Sequence, residues 1–206
     1  MVKGWVLESH KPVLIVAGLV SLLIVIVAMI SSVWPTQENW YFELGLLGKD
    51  KTADKYFADG NSTVNVGLVN SWFIYVHNYM GEKQSVIVKA KLLNSTMELP
   101  HDLEHRASQA SSFIEFPLFI SADETMFIPF SWSILETESH DDSIIIKRLM
   151  VNEQTVNIQV SNSVKSSYKV VFELWVLDNV SGEYKFGWES KDEMFSVSLY
   201  MGFNLS

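Results

Sequence analysis

The nine residues Tyr168-Lys-Val-Val-Phe-Glu-Leu-Trp-Val176 place apolar side chains at Tyr168, Val170, Phe172, Leu174 and Val176. A period of two is the mark of a strand with one face in a core. The same alternation continues after it at Phe195, Val197 and Leu199. Before it come Val156, Ile158 and Val160, then Ile128, Phe130, Trp132 and Ile134. Further towards the N-terminus lie Val86, Val88, Ala90 and Leu92, then Val64, Val66 and Leu68, then Trp40, Phe42, Leu44 and Leu46. Turn signals separate them at Asp59-Gly60, Met80-Gly81-Glu82, Asp141-Asp142 and Ser181-Gly182. Short strands spaced this way predict an antiparallel β-sandwich rather than parallel β-α units.

One stretch departs from the pattern. Pro100-His-Asp-Leu-Glu-His-Arg-Ala-Ser-Gln-Ala110 opens on proline, carries early acidic residues and is rich in helix formers. It predicts a short helix or helical turn between two strands, too polar to belong to the core.

Composition narrows the function classes. Among 206 residues, 24 are acidic and 15 basic, for a net charge of -9, which disfavours nucleic-acid binding. There is no cysteine, so disulfide scaffolds, cysteine-ligated zinc and thiol chemistry are excluded. Hydrophobic residues make up 48% of the chain, too many for a disordered one.

Val13–Val33 reads VLIVAGLVSLLIVIVAMISSV, without a charge. A helix crosses the bilayer core in roughly 20 apolar residues, so this stretch predicts a membrane span. Trp5, Trp34 and Trp40 suit the two interfaces, and Pro35 follows the span. Lys3 and Lys11 precede it, and Glu38 and Glu43 follow, which places the N-terminus in the cytoplasm. The expected organisation is a cytoplasmic tail (1–12), a transmembrane helix (13–34) and an extracellular β-sandwich domain (35–206). Only Lys3, Glu8 and Lys11 are charged before residue 35, so the exterior part carries 13 basic and 23 acidic residues, net -10. Gly18, with Ala17 and Ser21, forms a small-residue face suited to helix approach. Ala28-Met29-Ile30-Ser31 is a poor cleavage site, so the anchor is read as uncleaved. A pilin-type leader cut at Gly4-Trp5 is the alternative, although Glu8, His10, Lys11 and Pro12 interrupt the apolar helix it needs.

The stretch 41–70, YFELGLLGKDKTADKYFADGNSTVNVGLVN, resembles an archaeal family of uncharacterised membrane proteins, the domain of unknown function sixteen-sixteen. Leu44–Tyr56 is similar to that family's LLG-x-x-GKA-x-x-Y turn, and Val64-Asn-Val-Gly-Leu-Val-Asn70 to its V-x-VGIxN strand. Tyr168–Trp175 and Phe195-Ser-Val-Ser198 are similar to its closing hairpin. Asp50-Lys51 stands where the family has a further glycine, and the chain has one span where relatives have several. The resemblance implies an Ig-like exterior module and a membrane location, with no activity to transfer. The expected fold is therefore mainly β: one N-terminal transmembrane helix, then an antiparallel Ig-like β-sandwich with one short helix.

The sharpest chemical motif is His101-Asp-Leu-Glu-His105, an H-x-x-E-H pattern that on an α-helix sets two histidines on one face beside a glutamate base. A third ligand could come only from Glu136, Glu138, His140 or Asp141. The competing reading is a solvated polar helix. A non-catalytic metal site from His101, His105 and His140 is a further alternative. His77 lies in an aromatic stretch beside a turn, and His10 at the cytoplasmic face. No phosphate-loop, dinucleotide or nucleophile-elbow motif occurs. Glycan acceptors of the N-x-[ST] type stand at Asn61, Asn94, Asn179 and Asn204, with Asn61 and Asn94 the leading ones.

These readings converge on a single-pass cell-surface glycoprotein without enzymatic activity, cofactor or metal. It meets the membrane through 13–34 and a protein partner or surface assembly through its exterior domain, with Trp72, Phe73 and Tyr75 as exposed contacts. The alternatives are a metal-dependent hydrolase built on His101, Glu104 and His105, and a pilin-like filament subunit.

Overall fold

The period-two segment that opens the sequence reading forms β9 (Tyr168–Asp178), and the rest of the sandwich is arranged around it. In the computed structural model the described residues are 11–33, 40–58, 60–163, 167–190 and 193–206. One side of β9 pairs along its length with β4 (Gln84–Leu93). The other side is shared: β13 (Ser198–Leu205) covers its first half and β10 (Glu183–Phe186) its second. The sheet is completed by β5 (Ser112–Ile120) beyond β4 and by β2 (Thr63–Val64), which runs parallel to β13.

The facing sheet has the order β1 (Phe42–Leu47), β3 (Asn70–Asn78), β6 (Thr125–His140), β7 (Ser143–Val151), β8 (Gln154–Ser163), all antiparallel. A two-stranded ribbon of β11 (Trp188–Ser190) and β12 (Glu193–Phe195) stands apart. The body is thus mainly β and antiparallel, as the alternation predicts.

Inward side chains from both sheets meet in an aromatic core. Trp72 lies 5.1 Å from Trp132 and 6.3 Å from Phe172 of the opposite sheet, ring centre to ring centre. Phe130 meets Phe172 edge-on at 5.1 Å, and Phe203 stacks on Tyr168 at 5.7 Å. Edge-to-face pairs of this kind add to the area they bury. Such a core explains how a cysteine-free body can hold together.

The predicted turns hold. Gly60, Gly81 and Gly182 each take φ of +72°, a region open to glycine, and Asp141 takes +48° at the β6–β7 tip. Other expectations are corrected. The strand expected through Leu68 stops at Val64, because the chain turns at Gly67 (φ +84°), whose amide donates to the Ile134 carbonyl. The strand expected from Phe195 to Leu199 is broken between β12 and β13. The helix expected in 100–110 is a single 3-10 turn, Asp102–Glu104. Trp72, expected as an exposed contact, is 1% exposed at the centre of the core.

Towards the N-terminus, α1 (Lys11–Val33) is a 23-residue α-helix. It belongs to a unit, Met1–Glu38, separate from Asn39–Ser206. Among the described residues no helix is long and apolar enough to cross a membrane. The side chains described in α1 are Val16 and Gly18–Met29. The rest of the expected 13–34 span lies outside them, as do the Gly4-Trp5 junction, Lys3, Trp5, Glu8, His10, Ala17, Trp34 and Glu38.

Candidate functional site

The H-x-x-E-H residues are occupied in shaping a turn. His101 caps the 3-10 turn, its Nδ1 accepting from the Glu104 amide at 3.1 Å. His105 ends it in the left-handed region, φ +52°. The Ser196 hydroxyl donates to the Asp102 carbonyl at 2.7 Å, so its remaining contact, 3.1 Å from His105 Nδ1, has the imidazole as donor. Glu104 pairs with Arg106 at 3.4 Å. An α-helical face, on which i and i+4 would converge, does not exist here. His140 sits at the β6–β7 tip, 3.7 Å from Asp141, where it lines an open cleft with Asn94 and Asn162. Among the described residues no group of three or more His, Asp or Glu is placed to hold a metal ion.

The turn serves a different purpose. Residues 94–111 form a strap across the outer face of the β9 sheet, anchored by Asp102. Its carboxylate accepts from the Ser198 hydroxyl at 2.8 Å and from the Ser198 amide at 3.3 Å. Ser108, further along, lies over a buried ion pair: Lys91 Nζ stands 2.8 Å from Glu173 Oε2. The Ser108 amide donates to Glu173 Oε1 at 2.7 Å, and the Ser108 carbonyl accepts from Lys91 at 2.7 Å. Trp175 Nε1 supplies a further donor to Glu173 at 3.0 Å. Charges removed from water are tolerable when paired and hydrogen-bonded in this way.

The outer face of the other sheet is aromatic. Tyr75 lies across Gly45, its cross-strand partner, so closely that a Cβ there would fall 1.9 Å from the ring. Its hydroxyl donates to Glu43 at 2.6 Å. That carboxylate, with burial adding to it, pushes the Tyr75 phenol up to about 12. Phe73 and Phe127 share the ammonium of Lys51 at 5.0 and 4.9 Å. Tyr41 stacks on Tyr79 at 4.6 Å, and Tyr79 meets His77 at 3.9 Å. His77 in turn contacts Thr125 at 2.6 Å and Asp123 at 3.2 Å. Phe73 and Tyr75, two of the expected contacts, therefore do belong to a partly exposed face. Tyr41, Tyr79 and Phe127 were not legible as part of it, because only the register brings them alongside.

A cleft of about 520 Å³ opens beside the β9–β10 hairpin. Trp40, Met80, Trp188 and Met194 form its apolar walls, and Glu82, Asp178, Lys185 and Glu189 its polar lining. The Trp40 ring rests 3.9 Å from where a Gly81 Cβ would stand. Trp188 Nε1 donates to the Trp40 carbonyl at 3.4 Å. Asp178 accepts from Lys185 and from the Val180 and Ser181 amides, which hold its carboxyl well below the usual range.

The four sequons differ in freedom. Asn61, Asn179 and Asn204 are exposed. Asn94, a leading acceptor by sequence, donates its amide to the Ser161 carbonyl at 2.8 Å, while its carbonyl accepts from Thr96 and Met97.

No family model matches the chain. No curated protein matches it either. Among solved structures, the CARDB domain of a Pyrococcus furiosus protein, determined in complex with di-metal ions, is similar at a TM-score of 0.39 and 8% identity, over 83% of this chain and 93% of that one. A β-glucosidase from Listeria innocua in complex with gluconolactone is similar at a TM-score of 0.32 and 11% identity, over 61% of this chain and 16% of that one.

Proposed function

We propose that the chain is a single-pass, membrane-anchored cell-surface protein whose Ig-like sandwich is a non-catalytic binding or assembly module. The observation that carries the binding role is the aromatic outer face of the β1-β3-β6 sheet. Partly exposed surfaces enriched in Tyr and Phe are what interfaces use. The Ig-like reading rests on strand order: β1 joins β3 in one sheet while β2 joins β13 in the other, so the entry to the sandwich is divided between the sheets. The uncharged sequence of residues 13–33 supports the anchor, and the acidic exterior suits exposure to solvent. Glycans at the open sequons Asn61 and Asn179 belong to the same reading.

Co-purification from gently solubilised membranes tests it. A partner held by the wild-type chain is expected to be lost from a Tyr79→Ser, Phe127→Ser variant that retains its circular dichroism spectrum. A partner that both chains retain equally would show that this face is not the docking surface. Protease added to intact cells is expected to remove the 39–206 body, and a body that survives would overturn the surface location.

A further inference from the structure

The cleft lined by Trp40 and Trp188 has a chemical character distinct from the aromatic sheet face. Three carboxylates, Glu82, Asp178 and Glu189, line it against one ammonium, Lys185. That ammonium is already paired with Asp178. Among the described residues, Glu82 accepts only from an uncharged donor, Gln84 Nε2 at 3.0 Å, and Glu189 has no ion-pair partner. Among the described residues, the cleft therefore keeps negative charge at Glu82 and Glu189 that no ion pair neutralises.

Its walls are of the kind that bind cations with an apolar surface. Indole faces attract positive charge more strongly than the other aromatic rings, and thioethers are soft and adaptable. Elsewhere the chain fills such positions itself: Lys89 stands 3.8 Å over Trp175, Lys83 5.6 Å over Phe119, and Lys51 over Phe73 and Phe127. Among the described residues no ammonium stands over Trp40 or Trp188. Trp40 is 42% exposed, whereas Trp188 is held against Phe42 and Phe195. Trp40 thus offers the accessible ring, whereas Trp188 is 7% exposed and contributes to the wall of the cleft. A volume of about 520 Å³ suits a small molecule.

We propose that this cleft binds a free quaternary-ammonium compound, the cation seated against the exposed Trp40 ring with Glu82 and Glu189 as its counter-charge. A strongly hydrated primary ammonium would lose more on leaving water than an alkylated one, which carries its own apolar surface. The site is independent of the protein-docking face, so either can fail without the other.

The test is a ligand-observed saturation-transfer NMR titration of the full chain in maltoside micelles at constant ionic strength. The probes are choline chloride and 3,3-dimethylbutan-1-ol, its uncharged isostere. Choline is expected to saturate, with the neutral isostere about tenfold weaker. The Glu82→Gln, Glu189→Gln variant, whose walls are intact, should weaken choline several-fold and leave the isostere unchanged. Trp40→Ala should weaken both. Equal binding of the two probes, choline binding indifferent to both variants, or no saturation would each overturn the proposal. A short-chain phosphatidylcholine, kept below its micelle concentration, separates the two sources of the headgroup. Tighter binding of the lipid than of choline would assign the cleft to a membrane lipid and overturn the free cation.

Discussion

Lys91 and Glu173 form an ion pair on the outer face of a sheet, with side chains only 5% and 0% exposed. Solvent would ordinarily cover that face, and the 94–111 strap replaces it. Removing one partner leaves a buried charge uncompensated, so Lys91→Met or Glu173→Gln alone should cost about 3–5 kcal/mol. The Lys91→Met, Glu173→Gln double variant should cost much less than the sum of the two single changes. Chemical denaturation of the four proteins in a double-mutant cycle measures the difference.

The strap is held by Asp102 at one point and Ser108 at another, so the two anchors can be released separately. Asp102→Ala removes the Ser198 contacts while leaving the ion pair intact. Hydrogen exchange should accelerate at the amides of 101–106, with those of β4 and β9 keeping their protection. Acceleration throughout β9 would mean that the strap is integral to the sheet.

Tyr75 titrates late because its phenolate would face the carboxylate of Glu43. Its pKa is raised in the folded state, so the proton is held more tightly there than in the unfolded chain. The stability this contributes is complete below about pH 10 and is lost as pH rises through about 12. In a spectrophotometric titration of the folded chain, Glu43→Gln should return one tyrosine towards the ordinary value. Gly45→Ala should have the same effect by a different route, because the new methyl displaces the Tyr75 ring from Glu43.

Metal analysis separates the histidine readings. The purified chain should carry no stoichiometric zinc, and His105→Ala should act on stability through the lost Ser196 contact, by about 1 kcal/mol. Zinc bound one to one and lost in His101→Ala, His105→Ala would restore the hydrolase reading.

Phe127→Ala and Trp72→Ala contrast a surface ring with a core one. Trp72 touches the aromatic rings of both sheets, so its truncation should cost about 3–5 kcal/mol. Phe127 is 45% exposed, and its loss should remain below about 1 kcal/mol. Thermal melts of the two variants check the order.

Strands whose outer faces are polar could be read from the sequence, and strands with two apolar faces could not. β8 alternates visibly, because solvent lies against one side of it. β3 was hidden because Phe73, Tyr75 and His77 decorate its outer face as densely as Trp72, Ile74 and Val76 fill its inner one. After Ser143, β7 carries Ile144-Ile145-Ile146, a run without alternation. β5 carries Pro117, which lowers a strand reading yet is tolerated because β5 is an edge. The buried ion pair left no local trace at all. Lys91 occupies a position that alternation assigns to solvent, and only the strap's long-range contact through Ser108 reverses that assignment.

The placement of β13 bears on how the body is made. It fills an interior position, between β2 and β9, although every other strand of the sandwich precedes it in the chain. Until Phe203 has emerged from the ribosome, the first half of β9 lacks its neighbour on one side, Trp132 and Tyr168 lack one of the rings they pack against, and the Ser198 tether for Asp102 does not yet exist. Nearly the whole domain must therefore wait in an unfinished state during synthesis, with greasy strand surfaces open to chaperones and proteases alike.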